Sequence, residues 1–183
     1  MERSDVLTGQ PPTVSEEEKL VAELALLSIG YLSRNATYEA VKVRPAGRLL
    51  AGLVQQPSAR VRAAVIAVLL AHPEYAASVV NALKLLSPSE QLTLRFFYTA
   101  AMLLQALYAD RLRPLMATHW QPLPDMFSAE LGLPTGDSPR DKLAQLGREH
   151  QSRTRTSVNW AGSYEGVAKK LLRRWELERQ WNL

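Results

Sequence analysis

Leucine and alanine dominate this chain, and that bias restricts the folds it can adopt. Its 183 residues include 30 Leu and 23 Ala but only 13 Val and 2 Ile. Leucine and alanine lose little free energy on entering a helix, whereas β-branched residues lose rotamer freedom there. A β-sandwich or a parallel sheet would need many more Val and Ile residues in its strands. We therefore predict an all-α protein, and its length is typical of a single domain.

The hydrophobic pattern predicts about seven or eight helices, arranged as an irregular bundle or a short stack of helical hairpins. Ser15 and Glu18 form a capping box ahead of apolar residues at helical spacing, which predicts a helix over residues 15–33. Residues 96–109 are apolar nearly all round, so the helix that contains them, over residues 88–110, is expected at the centre of the domain. Other helices are predicted over residues 37–43, 73–86, 139–150 and 163–181, with short helical turns over 111–118 and 124–131.

Proline, glycine and charge divide the chain into segments. Residues 1–14 are expected to form a flexible tail, and residues 15–183 one helical domain. Within that domain we predict a helical-hairpin core over 15–110, a loop-rich connection over 111–138 and basic helices over 139–183. Residues 1–33 hold two Lys or Arg against six Asp or Glu, whereas residues 138–183 hold ten against five. A basic segment of this kind pairs either with the acidic one or with an acidic partner.

Several kinds of chemistry lack their residues in this sequence. There is no cysteine, which excludes disulfides, thiolate zinc sites and a cysteine nucleophile. Neither a glycine-rich phosphate loop nor an HExxH motif occurs, so we expect no cofactor and no metal site. The first residues are polar and acidic, and the longest apolar run, residues 63–71, is far too short for a membrane span. We expect a cytoplasmic protein without membrane contact.

The segment 45–109 resembles a HEAT-type helical repeat. In such repeats two antiparallel helices pair, and the second opens with a turn proline and then a Val-Arg pair. The residues that carry the resemblance are Leu49, Leu50, Leu53, Val54, Pro57, Val61, Arg62, Ala64, Val68 and Leu69, with a fainter echo in Leu85, Leu86, Pro88, Leu94, Arg95 and Ala100. The resemblance implies a scaffold that binds protein or nucleic acid. The alternative is an irregular bundle whose hairpins resemble any others.

Arg113 and His119 have the R-x5-H spacing that resembles the ribonuclease motif of HEPN domains. The resemblance implies a histidine acting as general acid or base and an arginine that stabilises phosphate charge. Pro114 stands where that family usually has a polar residue. Ribonuclease activity is therefore a third hypothesis, and we expect an interaction protein rather than an enzyme.

The C-terminal segment carries the strongest functional signal of the sequence. Its candidate binding residues for nucleic acid or an acidic partner are Arg153, Arg155, Trp160, Lys169, Lys170, Arg173 and Arg174. The four cations of residues 169–174 lie one turn apart in pairs, so they form a strip that could contact phosphates, and Trp160 could stack on a base. The alternative is a solvated helix face, with Lys169 paired to Glu165 and Arg174 to Glu178.

Two function classes therefore lead. The first is a non-enzymatic interaction or scaffold protein, a subunit of a larger assembly with a protein partner. The second is a nucleic-acid-binding accessory protein that uses the basic C-terminal helix. An apolar groove between helices would favour the first class, and an unpaired positive surface would favour the second.

Overall fold

The computed structural model describes residues 14–32 and 41–181, and it confirms the all-α prediction. No strand occurs in these two ranges. Their α-helices are α1 (Glu16–Leu26), α2 (Ala46–Val54), α3 (Ala59–Arg62), α4 (Ala64–Ala71), α5 (Val79–Leu83), α6 (Pro88–Leu107), α7 (Ala109–Met116), α8 (Pro139–Thr154) and α9 (Trp160–Trp181). Only Ala63 separates α3 from α4, so the two form one bent helix and the described chain has eight helices in this count. The predicted tail up to residue 13 and most of the predicted helix over 37–43 lie outside the described ranges.

Helix α6 is the centre of the fold, as its apolar sequence predicts. It packs against α2, α4, α8 and α9, and its Phe96, Phe97 and Tyr98 side chains are buried. Ser87 and Glu90 close a capping box at its first turn, which satisfies backbone N–H groups that have no partner within the helix. Helix α4 is the second buried element, because every residue from Ala64 to Leu70 is shielded from solvent.

Helix α1 ends earlier than the sequence pattern predicts. Its capping box of Ser15 and Glu18 is present, but the helix stops at Leu26 instead of continuing to residue 33. Ser28 has a left-handed backbone (φ 61°), and the Ile29 N–H donates to the Leu24 carbonyl (2.9 Å). This is a Schellman ending with serine in the position that glycine usually takes, and a short 3-10 helix (Gly30–Leu32) follows it. The apolar spacing in the sequence extends past the end of the helix because Ile29 and Leu32, which follow the turn, are also buried.

Other predicted boundaries also need correction. The single helix expected over 73–86 is a 3-10 helix (Pro73–Ser78) followed by α5. The short helical turn predicted over 111–118 is part of α7, which starts two residues earlier and ends at Met116, and residues 124–131 contain one turn, closed by the Leu131 N–H on the Phe127 carbonyl. Helix α8 extends four residues past the predicted end at 150, and α9 begins three residues before the predicted start at 163.

Helices α8 and α9 form a hairpin that covers α6 and reaches α4. The two helices are in close contact at Gly147 of α8, because a Cβ added there would lie 2.8 Å from the backbone nitrogen of Ala161 in α9. Among the described helices, none alone has the length and apolar content needed to cross a membrane, although two sharply bent pairs would pass on those two criteria together.

Candidate functional site

An open groove of about 740 Å³ lies between the end of α1, the end of α4, α7 and the last turns of α9. We call it the α7–α9 groove. Its walls are Leu27, Ser28, Ala71, His72, Glu74, Pro114, Leu115, Met116, His119, Trp175, Glu178 and Arg179. The apolar members come from all four chain segments, and charged side chains stand at the margin.

The end of α1 fixes one side of the groove. The left-handed Ser28 presents its carbonyl oxygen to the Trp175 indole N–H (3.0 Å), which anchors α9 to α1. His72 links the same region to the end of α4, because its Nε2 lies 3.2 Å from the Leu27 carbonyl and its Nδ1 lies 3.0 Å from Glu74 Oε1. Both ring nitrogens are therefore engaged in holding the wall.

Helix α7 and the short 3-10 helix after it (Ala117–His119) form the opposite side. Ala117 has a positive φ of 48°, which turns the chain after Met116 and sets His119 against the groove. Arg179 of α9 donates to the Pro114 carbonyl (3.4 Å) and so spans from α9 to α7. Glu178 pairs with Arg174 at 2.7 Å one turn earlier.

The groove combines an apolar floor with a charged margin. Leu115, Met116 and Trp175 give it an apolar floor, and Glu74 and Arg179 place opposite charges at its edge. In the described part of the chain, no group of three or more His, Asp or Glu residues is arranged to hold a metal ion. Such a mixture of an aromatic anchor, a methionine and a polar rim is typical of interaction surfaces.

The two residues of the R-x5-H motif face different surroundings. His119 lines the α7–α9 groove, whereas Arg113 is not part of its wall and places its guanidinium over the Trp120 ring at 5.2 Å. Both side chains are exposed. The turn at Ala117 between them ends the helix on which a shared face would depend. Arg113 and His119 therefore do not form the shared site that the ribonuclease hypothesis requires.

Three of the predicted basic residues already have partners. Lys169 lies 3.3 Å from Glu165 and Arg174 lies 2.7 Å from Glu178, so both ion pairs that the helical spacing predicts are present. The Arg174 guanidinium also packs on Gly30, where a Cβ would lie 2.9 Å from Nη2. Arg153 pairs with Glu149 at 3.5 Å and lies 5.9 Å from the centre of the Phe96 ring.

Lys170, Arg173 and Arg155 remain exposed cations without an acidic partner within the described ranges. The acidic first helix does not neutralise them. Its Glu16 and Glu23 carboxylates both pair with Arg44 instead. Lys170 and Arg173 therefore form the accessible part of the predicted strip.

One face of the Trp160 ring packs against the protein interior. Its ring stacks on the His150 imidazole with centroids 3.9 Å apart, and its indole N–H donates to the Thr156 hydroxyl (3.1 Å). Phe96 stacks on His150 at 4.2 Å and nearly parallel, and the arrangement is an aromatic sandwich with the imidazole in the middle. We call Phe96, His150 and Trp160 the His150 sandwich. A nucleic-acid base could therefore contact only the part of the Trp160 ring that this packing leaves exposed.

His150 is a buried polar residue that the sequence motifs did not identify. It is only 1% exposed, its Nδ1 is hydrogen-bonded to the Tyr164 hydroxyl, and burial with the nearby Arg62 charge lowers its pKa to about 4. Burial likewise raises the pKa of Tyr164. Its position one turn after Leu146 on the apolar face of α8 is the signal that could have identified it as buried.

No protein-family model, no curated protein and no solved structure matches this chain.

Proposed function

We propose that this chain is a non-enzymatic helical interaction protein, a subunit of a larger assembly, that holds a segment of a partner protein in the α7–α9 groove. The observation that carries the proposal is the groove's apolar floor of Leu115, Met116 and Trp175 beneath a charged margin. Buried aromatic anchors inside a polar rim contribute most of the binding energy in protein interfaces.

A polypeptide segment is the occupant that fits these contacts best. Glu74 and Arg179 stand at the margin with opposite charges, so the groove offers both acceptors and donors to a chain of mixed polarity. An apolar side chain of the partner would rest on Leu115 and Trp175, and Met116 can adapt to its shape. His72 supports binding over catalysis, because its two ring nitrogens already contact Leu27 and Glu74.

The HEAT-type arrangement is a further part of the proposal. Helix α2 packs on both α3 and α4, and only residues 55–58 connect it to them. Short connections of this kind are typical of antiparallel helical hairpins. Such a hairpin would serve as the rigid support for a binding surface.

Site-specific photo-crosslinking tests the partner-binding proposal. A photoreactive phenylalanine analogue replaces Leu115 in the groove, and a matched variant carries it at Leu85, which is 53% exposed and outside the groove. In cells of the native host we expect the 115 variant to form an adduct with a discrete partner protein that the 85 variant does not form. The purified partner should then bind the unmodified chain and bind Leu115→Glu at least tenfold more weakly. Identical adducts at both positions, or no adduct at 115, would contradict the proposal.

Nucleic-acid binding is the second candidate function, and one observation favours it. Lys170 and Arg173 lie one turn apart on α9, exposed and without an acidic partner in the part of the chain that the structure describes. Cations placed in this way contact phosphates without reading bases.

A titration with RNA and DNA at two salt concentrations tests this second candidate. Binding through this strip should weaken steeply with salt, and Lys170→Glu combined with Arg173→Glu should lower the slope of log K against log salt by roughly 2. Lys84→Glu, an exposed lysine at the end of α5, is the control and should leave the slope unchanged. Salt-independent binding, or equal slopes for both variants, would exclude this function for the strip.

A further inference from the structure

A second pocket, of about 360 Å³, lies beside the His150 sandwich and is separate from the α7–α9 groove. His150 lines it even though the residue is only 1% exposed. Phe96 and Trp160 cover the two faces of the imidazole, and Tyr164 occupies Nδ1. Phe97 packs edge-on to the same ring (centroids 5.9 Å apart), and Nε2 is the ring nitrogen that has no hydrogen-bond partner within the described ranges. Nε2 is therefore the nitrogen that a ligand in the pocket could contact.

The hydrogen bond with Tyr164 determines what Nε2 offers. Tyr164 is buried, and its hydroxyl has no other partner in the described part of the chain. If Nδ1 carried the proton, the tyrosine hydroxyl hydrogen would be buried without an acceptor, which is costly. The Tyr164 hydroxyl therefore donates to Nδ1. The neutral imidazole then carries its hydrogen on Nε2 and offers a donor to the pocket.

A directed chain of hydrogen bonds holds the sandwich in place. The Trp160 indole donates to the Thr156 hydroxyl (3.1 Å), and the Thr154 hydroxyl donates to the His150 carbonyl (2.7 Å). The Thr154 hydroxyl uses its only hydrogen in that bond, so it can only accept in its 3.1 Å contact with the Thr156 hydroxyl. Thr156 is therefore the donor in that contact. The pocket wall is thus preorganised by the end of α8 and the start of α9.

Arg62 supplies a positive charge to the same pocket. Its Nη1 donates to the carbonyls of Gln56 and Pro57, both at 2.8 Å, which fixes the guanidinium. Nε and Nη2 have no hydrogen-bond partner among the residues that the structure describes, and Arg62 lines the pocket. Its charge also acts on the ring of His150. Two fixed donor groups, one of them cationic, therefore border one small cavity.

We propose that this pocket binds a small monocarboxylate with an apolar body, whose carboxylate accepts hydrogen bonds from Arg62 and from Nε2 of His150. The planar carboxylate suits the guanidinium, which donates two parallel hydrogen bonds to such a group. The apolar body would contact Val54, Pro57 and Phe97, which line the same cavity.

Glu90 decides between a carboxylate and a phosphate. It lines the pocket, and its Oε2 accepts hydrogen bonds from the Ser87 N–H and hydroxyl (both 2.8 Å). The negative charge of Glu90 in the wall disfavours a dianion more strongly than a monoanion. The ligand class is thus a monocarboxylate rather than a phosphate ester.

Titration with benzoate tests the proposal, with benzamide as its uncharged counterpart and inorganic phosphate as the competing anion, all at constant ionic strength. We expect benzoate to raise the melting temperature saturably and to shift the His150 ring resonances, and we expect no such response to benzamide or phosphate. Arg62→Gln should remove the response. Thr93→Met should also remove it, because Thr93 lines the pocket and a longer side chain fills it while Arg62 and His150 stay in place. Thr118→Met, at an exposed threonine outside the pocket, should retain it.

The Thr93 variant keeps the test decisive if Arg62→Gln fails to fold. The absence of a saturable response to benzoate would overturn the proposal, as would an equal response to benzamide. A response to phosphate without one to benzoate would overturn the carboxylate assignment. A benzoate response that survives in Thr93→Met would place binding elsewhere. None of these outcomes depends on the α7–α9 groove, so the partner-binding proposal stands or fails separately.

Discussion

The buried carboxylate of Glu23 is held from two sides by Arg44. The Arg44 backbone N–H donates to Oε2 (2.9 Å), and its guanidinium donates to Oε1 through Nε (2.8 Å) and Nη2 (2.6 Å). Glu23 is only 3% exposed, whereas the second partner of Arg44, Glu16, lies at the surface. This pair ties α1 to the chain that enters α2, across a stretch of sequence of which residues 33–40 are not described.

Removing Arg44 should destabilise the protein strongly. Arg44→Ala leaves the Glu23 carboxylate buried without its cation, and the expected loss in the free energy of unfolding is about 3 kcal/mol or more. Glu16→Ala removes only the exposed partner and should cost about 1 kcal/mol at most. Urea unfolding of both variants beside the unmodified chain measures the difference. Equal losses would mean that Glu23 does not depend on Arg44.

Local sequence signals were sufficient for most helices. The capping box of Ser15 and Glu18 predicts the correct start of α1, because it depends on residues three positions apart, and the helix predicted over 88–110 starts where α6 does. The end of α1 could not be predicted in this way. Ser28 adopts a left-handed conformation that serine seldom takes, and tertiary contacts such as the bond from Trp175 to its carbonyl accompany it.

The candidate functional sites were harder to predict from the sequence than the helices. The ion pairs of Lys169 and Arg174 follow from helical spacing, and the prediction of them was right. The α7–α9 groove, by contrast, brings together Leu27, Leu115 and Trp175, which are far apart in the sequence. Tertiary packing alone creates such a site, and local sequence patterns contain no signal for it.

Gln105 should be essential to the chain that follows α7. It is buried, its side-chain N–H donates to the Gln121 carbonyl (2.9 Å), and its Oε1 accepts the Leu123 N–H (2.7 Å). Gln105→Met keeps the length of the side chain but leaves the buried Leu123 N–H without an acceptor, so the expected loss is roughly 1–3 kcal/mol. Hydrogen exchange should show the Leu123 amide losing protection in the variant. Gln180→Met, at an exposed position of α9, is the control and should change stability by less than about 0.5 kcal/mol. A Leu123 amide that stays protected would contradict the role of Gln105.

Two glycines in the α8–α9 hairpin should respond in opposite directions to the same substitution. A Cβ at Gly147 would lie 2.8 Å from the Ala161 nitrogen and 3.0 Å from its Cβ, whereas a Cβ at Gly166 would meet nothing within 4 Å. Gly147→Ala forces the hairpin apart and should cost about 1–3 kcal/mol despite the better helix propensity of alanine. Gly166→Ala gains that propensity freely and should stabilise by roughly 0.5–1 kcal/mol. Thermal unfolding of the pair measures both signs, and a destabilised Gly166→Ala would show that this face of α9 is not open.

The buried imidazole of His150 should make stability depend on pH. Burial, with a smaller contribution from the Arg62 charge, lowers the pKa of His150 to about 4 in the folded protein, against an ordinary value of 6.5. Between these two pH values the unfolded chain binds a proton that the folded chain does not bind. The contribution of His150 is therefore fully present above pH 6.5, and it falls progressively as the pH drops toward 4, by about 3 kcal/mol in total.

A variant comparison isolates this effect from other acid-sensitive groups. His150→Phe removes the titrating ring, so the free energy of unfolding should lose about 3 kcal/mol less than that of the unmodified chain between pH 7 and pH 4. His119→Gln, at an exposed histidine, should keep the full dependence. The quantity to compare is the slope with pH, because His150→Phe also deprives Tyr164 of its acceptor and lowers stability at every pH. Parallel slopes of the unfolding free energy with pH for His150→Phe and the unmodified chain would mean that the imidazole is protonated alike in the folded and unfolded states. A neutral donor at Nε2 would then be excluded at acidic pH.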